Sequence, residues 1–156
     1  MNRYEITVGI ANFLGFEVIE KKFRSSAKGL CKGNRIGISK DLDAIEKRCI
    51  LAEEVSHGLY TVGNILDQND LQNKKQEYFA RKKALEFLVP LSEIVRAYNA
   101  GIQEPHEMAE YLEVTDQILT DALALHERKN GPYTFLDGQI VRFSPFMVCE
   151  GHHISA

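Results

Sequence analysis

The fold of this chain is decided by residues 50–63, which have the sequence ILAEEVSHGLYTVG. They belong to a helix that the sequence predicts over roughly residues 43–60, with Asp41 or Asp43 as its N-cap. The apolar residues of this helix are Ile45, Cys49, Ile50, Leu51, Ala52, Val55 and Leu59. Because they surround most of its circumference, the sequence predicts a buried helix rather than a surface helix.

Three residues of this helix do not suit a core: Glu53, Glu54 and His57. Glu53 and His57 are four residues apart and therefore lie on one helical face, while Glu54 projects from the flank of that face. Burial of two carboxylates without partners is costly, so they must meet a cation, a proton or water. The alternative at this point is a solvated edge of an otherwise buried helix.

A second long helix is predicted over residues 70–88, and Pro90 ends it. Its inward stripe carries Glu77, Ala80, Ala84, Phe87, Leu88 and Leu91. Its outer side carries Lys74, Lys75, Arg81, Lys82 and Lys83. An inward carboxylate again needs a partner, either a metal ion or a basic residue such as Arg48. Two buried helices that each direct acid or imidazole inward are typical of helical metal sites.

The rest of the chain predicts short strands around these helices and a helical segment after them. A helix over residues 4–14 precedes a strand over 16–22 and a hairpin over 29–39, with its turn at Gly33-Asn34. Three helices follow, over 92–100, 105–112 and 115–128, and then a terminal hairpin over 131–149. We therefore expect an α+β fold in which a small sheet packs on two central helices. The predicted parts are 1–91, 92–130 and 131–156.

Composition excludes several classes of protein. The chain has 156 residues, 19 Lys+Arg, 22 Asp+Glu and a net charge of −3. It therefore has no overall positive potential that would attract polyanions, and nucleic acid is not the expected partner. The three widely spaced cysteines form no CxxC pair, which argues against a disulfide framework or a cysteine zinc finger. No signal peptide or membrane span is recognisable, and we expect a cytoplasmic protein.

Other candidate residues carry less weight. His106 and His126 are predicted to be surface residues, and the pair at 152–153 to belong to a solvated tail. Cys49 is predicted to be core, and Cys31 to be structural even though neighbouring lysines could lower its pKa. The segment 105–128 has the outline of a helix-turn-helix, but the acidic residues of its last helix disfavour contact with DNA phosphates.

Several segments together carry a resemblance to a known family. Glu53 to His57 occupies the frame of the HExxH motif, with Glu53 where the first histidine normally stands, and residues 50–63 resemble the LAHELGH segment of the ImmA/IrrE metallopeptidases. Residues 77–90 resemble that family's E-x-x-A…L-M-P helix. Further similarity covers the opening helix and strands (11–19 and 29–36). The segment 107–115 is similar to the phage and mobile-element branch.

The resemblance implies a zincin-like, zinc-dependent endopeptidase. By position, Glu54 matches the catalytic glutamate, while Glu53, His57 and Glu77 match the three metal ligands. A carboxylate-rich ligand set raises the relative preference for Mn²⁺ or Mg²⁺ over Zn²⁺. The implied function is cleavage of a helix-turn-helix repressor of a phage or mobile element. The alternative is an inactive zincin-like protein that binds the repressor without cutting it.

Overall fold

The structure is a computed structural model that describes residues 1–61 and 71–151. The chain divides into two compact units, Met1–Leu88 and Val89–Ala156. The described part of the first unit contains α1 (Arg3–Phe13), β1 (Glu17–Lys21), β2 (Gly29–Lys32), β3 (Arg35–Ser39), α2 (Ala44–Tyr60) and α3 (Leu71–Leu88). The described part of the second contains α4 (Leu91–Asn99), α5 (Pro105–Leu112), α6 (Asp116–Asn130), β4 (Tyr133–Leu136), β5 (Gln139–Phe143) and β6 (Phe146–Glu150). This α+β architecture confirms the predicted fold class.

Local signals account for the ends of the first helices. Asn2 caps α1 through a capping box with Glu5, and Gly15 follows the helix with φ +97°, a conformation that glycine adopts without strain. The α2 helix begins after Asp43, whose side chain accepts a hydrogen bond from the Glu46 backbone N–H. Of the two predicted caps for α2, Asp43 is therefore the one used.

The sheet of the first unit has the strand order β1-β3-β2. The predicted hairpin is present, with β2 and β3 antiparallel around the Gly33-Asn34 turn, while β1 pairs with β3 in parallel. Ile36 and Ile38 on the central strand β3 are fully buried and share a core cluster with Leu51 of α2. The helix that carries Glu53, Glu54 and His57 is thus anchored against the sheet.

Not all of the apolar residues that the sequence predicts to be buried on α2 and α3 are buried in the structure. Leu51, Ala80 and Leu88 are buried as expected, but Leu59 is 45% exposed and Phe87 is 41% exposed. The prediction of a core position was wrong for these two residues. They line an apolar groove between α1, α2 and α3. The apolar residues of these helices therefore lie partly in the core and partly in an exposed groove.

The second unit packs three helices with an antiparallel sheet in the order β4-β5-β6. The predicted terminal hairpin is extended by the third strand. Val95 of α4 lies in one core cluster with buried residues of the sheet, including Val141 and Phe143. The Thr115 hydroxyl accepts a hydrogen bond from the Ile118 backbone N–H, which confirms Thr115 as the cap of α6.

One histidine of the second unit is misassigned by sequence. His126 was predicted to be a surface residue, but it is buried at 6% exposure, and its Nε2 lies 2.8 Å from the Val89 carbonyl oxygen. That prediction was wrong, because α6 turns this polar ring toward a backbone group that requires a partner. His106 is exposed, as predicted.

Two predicted features lie mainly or entirely outside the residues that the structure describes. The predicted loop after α2 lies mainly, and the histidine pair at 152–153 entirely, outside the described residues. The three-part division into 1–91, 92–130 and 131–156 stays a prediction. Among the helices of the described ranges, none combines the length and the apolar character needed to cross a membrane.

Candidate functional site

Two facing helices of the first unit bring the predicted site residues together. Glu53 and His57 lie one turn apart on α2, and Glu77 and Arg81 lie one turn apart on α3. His57 Nε2 lies 2.8 Å from Glu77 Oε1, so the imidazole and the carboxylate share a hydrogen bond between the helices. The predicted inward direction of Glu77 therefore has a structural reason: it faces His57.

Glu54 lies on the other side of the same imidazole. Its Oε2 is 3.9 Å from His57 Nδ1, and its side chain is 16% exposed. Burial is the largest influence on its pKa and raises it; His57 lowers the pKa, while the negative charges of Glu53 and Glu77 raise it further. The net effect is a carboxyl group that holds a proton more readily than an ordinary glutamate.

The strand β2 passes close to Glu54. A Cβ atom on Gly29 would lie 2.5 Å from Ile50 Cγ2 and 3.2 Å from Glu54 Cγ, so only glycine allows this approach of the strand to α2. A similar restriction applies next to His57, where a Cβ on Gly58 would lie 2.5 Å from the Phe16 ring. The sequence predicts no role for either glycine, because close approach between elements leaves no local signal.

Arg81 is the site residue that sequence reasoning missed. It was assigned to the charged outer side of α3, but its Nη1 forms an ion pair with Glu53 Oε1 across the two helices. That assignment was wrong because the antiparallel α2 and α3 place Arg81 opposite Glu53 when Glu77 faces His57. The arginine four residues after Glu77 is the signal that could have revealed it.

The donor chemistry of this cluster suits a divalent cation. Three carboxyl groups (Glu53, Glu54 and Glu77) and the His57 imidazole lie together beside one guanidinium (Arg81), so acidic groups outnumber the fixed positive charge. Imidazole nitrogen and carboxylate oxygen are ligands of both Zn²⁺ and Mn²⁺. Within residues 1–61 and 71–151 no three acidic, histidine or cysteine side chains are already arranged to hold a metal. Glu53 is paired with Arg81.

The cysteines of the first unit are not part of this cluster. Cys49 is buried at 3% exposure, as predicted for a core residue. Burial raises the pKa of the Cys31 thiol, and the nearby Glu54 carboxylate raises it further. This upward direction opposes the lowering of the Cys31 pKa that the neighbouring lysines could produce. The structural role of Cys31 stays a prediction.

The fold and the cluster define a class of protein. A small sheet lies against a helix that carries Glu-Glu-x-x-His, and the next helix adds a glutamate, which is the arrangement of a metallopeptidase-like zincin domain. The family model described as the IrrE N-terminal-like domain, of the M78 peptidases, matches residues 3–123. The chain therefore belongs to this family, which confirms the predicted family resemblance. The similarity of residues 107–115 to the phage and mobile-element branch stays a prediction. No curated protein and no solved structure matches the chain.

Proposed function

We propose that this protein is a metal-dependent endopeptidase that cleaves a helix-turn-helix transcriptional repressor of a phage or mobile element, and so acts as an antirepressor. The observation that carries the proposal is the convergence of Glu54 and His57 with Glu77 in a chain that belongs to a peptidase family. The choice of repressor as substrate rests on the resemblance of residues 107–115 to the phage branch.

Glu53, His57 and Glu77 would hold the cation, Zn²⁺ or, given two carboxylate ligands, Mn²⁺. The cation supplies Lewis acidity toward the peptide carbonyl and the attacking water. Glu54 Oε2 accepts the proton of that water and returns it to the departing amide nitrogen. The same carboxyl group acts first as a base and then as an acid, so one residue serves both proton transfers.

The surface of the first unit supports a protein as the partner. Ile10, Leu14 and Leu59 are each at least 38% exposed and line the apolar groove between α1, α2 and α3. Exposed apolar side chains grouped in this way are typical of a protein-binding surface. A net charge of −3 disfavours direct contact with nucleic acid, which also favours a protein as the partner. The proposed location is the cytoplasm.

One observation favours a second candidate. The ion pair between Glu53 and Arg81 occupies the carboxylate at the position of the first metal ligand. A chain that keeps this pair would bind the repressor without cutting it, and would act as an antirepressor by occupancy. The two candidates share a partner and differ only in whether a peptide bond breaks.

The test uses the purified protein, with Mn²⁺ or Zn²⁺ added, and a helix-turn-helix repressor of a phage or mobile element, sought first among the neighbouring genes. Products are identified by mass spectrometry. Glu54→Gln removes the proposed base, and Glu46→Gln is the matched control, since Glu46 lies on the same helix but in its first turn. We expect cleavage by the wild type and by the control, none by Glu54→Gln, and loss of cleavage with a chelator.

Binding is measured in parallel by calorimetry. If all three proteins bind the repressor and none cuts it, the endopeptidase is excluded and the occupancy candidate stands. If none binds the repressor, both candidates are wrong.

A further inference from the structure

The two interhelical pairs form a short ladder between α2 and α3. Glu77 faces His57; four residues further along α3, Arg81 faces Glu53, which lies four residues earlier on α2. Both pairs therefore use the same antiparallel register. Glu53, which stands at the position of the first metal ligand, is therefore paired with the permanent positive charge of Arg81 on α3.

We propose that Arg81 is a positioning residue that competes with a divalent cation for the Glu53 carboxylate, so that metal binding requires release of this ion pair. The proposal rests on the function proposed above and concerns Glu53, which stands where the HExxH motif has its first histidine. While Arg81 holds Glu53, the cation is left with His57 and Glu77. Once Arg81 is displaced, Glu53 becomes available as the third ligand.

Exposure of the pair indicates that it can be displaced. The side chains of Arg81 and Glu53 are 37% and 25% exposed, so water screens their attraction and stabilises the separated charges. A divalent cation carries twice the charge of a guanidinium and binds carboxylate oxygen directly. Arg81 thus weakens metal binding without abolishing it, both by occupying Glu53 and by repelling the cation.

The experiment measures metal binding and needs no substrate. Mn²⁺ and Zn²⁺ are titrated separately into the metal-free full-length protein by isothermal calorimetry, with folding checked by circular dichroism. We expect Arg81→Gln to bind the cation about tenfold more tightly than the wild type, because a competitor and a like charge are both removed. Arg81→Lys keeps the charge and should restore an affinity within about threefold of the wild type.

Two further variants separate competition from a general effect of charge. Lys75→Gln makes the same change of charge at an exposed position of the same helix, and should alter affinity by less than about twofold. In a Glu53→Gln background there is no carboxylate for Arg81 to withhold. Adding Arg81→Gln there should improve binding by less than about threefold, against about tenfold with Glu53 present.

Each outcome bears on the proposal. An Arg81→Gln protein that binds the cation no better than the wild type overturns it, as does an equal gain in the Glu53→Gln background. A failure of the wild type to cut the repressor, together with tighter metal binding by Arg81→Gln, would refute the endopeptidase and leave this inference standing. If Arg81→Gln leaves the metal affinity unchanged and the wild type cuts the repressor, this inference is refuted and the endopeptidase stands.

Discussion

Replacing Gly58 by alanine tests how α2 is seated beside the site. The added Cβ would lie 2.5 and 2.6 Å from two atoms of the Phe16 ring and 3.2 Å from Cys31 Sγ. Phe16 is only 8% exposed and belongs to the core cluster of the first unit, so its ring has little room to move. Overpacking of this kind costs about 1–3 kcal/mol of unfolding free energy.

Alanine also has a higher helix propensity than glycine, which returns about 1 kcal/mol. The net expectation for Gly58→Ala is a destabilisation of about 0–2 kcal/mol. Gly9→Ala is the matched control, since Gly9 lies inside α1 and a Cβ there would meet nothing within 4 Å. It should stabilise the protein by about 0.5–1 kcal/mol.

Urea unfolding followed by circular dichroism measures both variants. A third variant, Phe16→Leu combined with Gly58→Ala, removes the ring atoms that the new methyl group would strike. The double variant should lose less unfolding free energy than the two single variants, Phe16→Leu and Gly58→Ala, lose in sum. The difference, which is the coupling energy, should be about 1 kcal/mol. If Gly58→Ala stabilises the protein as much as Gly9→Ala does, the proposed close packing of α2 on Phe16 is refuted.

Three other predictions concern single contacts. His126→Ala leaves the buried Val89 carbonyl without its partner and should cost about 2–4 kcal/mol in urea unfolding; a loss below about 1 kcal/mol would contradict this role. Thr115→Ala removes the α6 cap and should cost about 1 kcal/mol, whereas Thr115→Ser should be nearly neutral; equal losses would refute capping. Burial and the nearby Glu20 raise the pKa of Tyr4 to about 12, so the unfolded chain, with a tyrosine pKa near 10, ionises first. The unfolding free energy of the wild type should therefore fall between about pH 10 and 12 more steeply than that of Tyr4→Phe. Equal slopes of unfolding free energy against pH in the two proteins would exclude a raised Tyr4 pKa.

Much of the local structure was accessible from sequence, because it depends on neighbours along the chain. The caps at Asp43 and Thr115 and the turn at Gly33-Asn34 follow from side-chain hydrogen bonding and backbone preference within a few residues. The placement of Glu53 and His57 on one face follows from helical periodicity alone. These features were predicted correctly, with Asp41 left open beside Asp43 as the cap of α2. The family resemblance rested on the sequence motifs and their order along the chain.

Contacts between elements were decided only by the tertiary structure. Sequence placed Arg81 on an outer face and His126 at the surface, whereas the packing of the helices directs the first to Glu53 and the second to a backbone carbonyl. The apolar Leu59 and Phe87 show the same limit, since hydrophobicity predicts that a residue favours burial but not whether a neighbour covers it. Periodicity defines the faces of a helix; the register between helices determines what each face meets. In this protein that register brings a guanidinium, as well as an imidazole and carboxylates, to the candidate metal site.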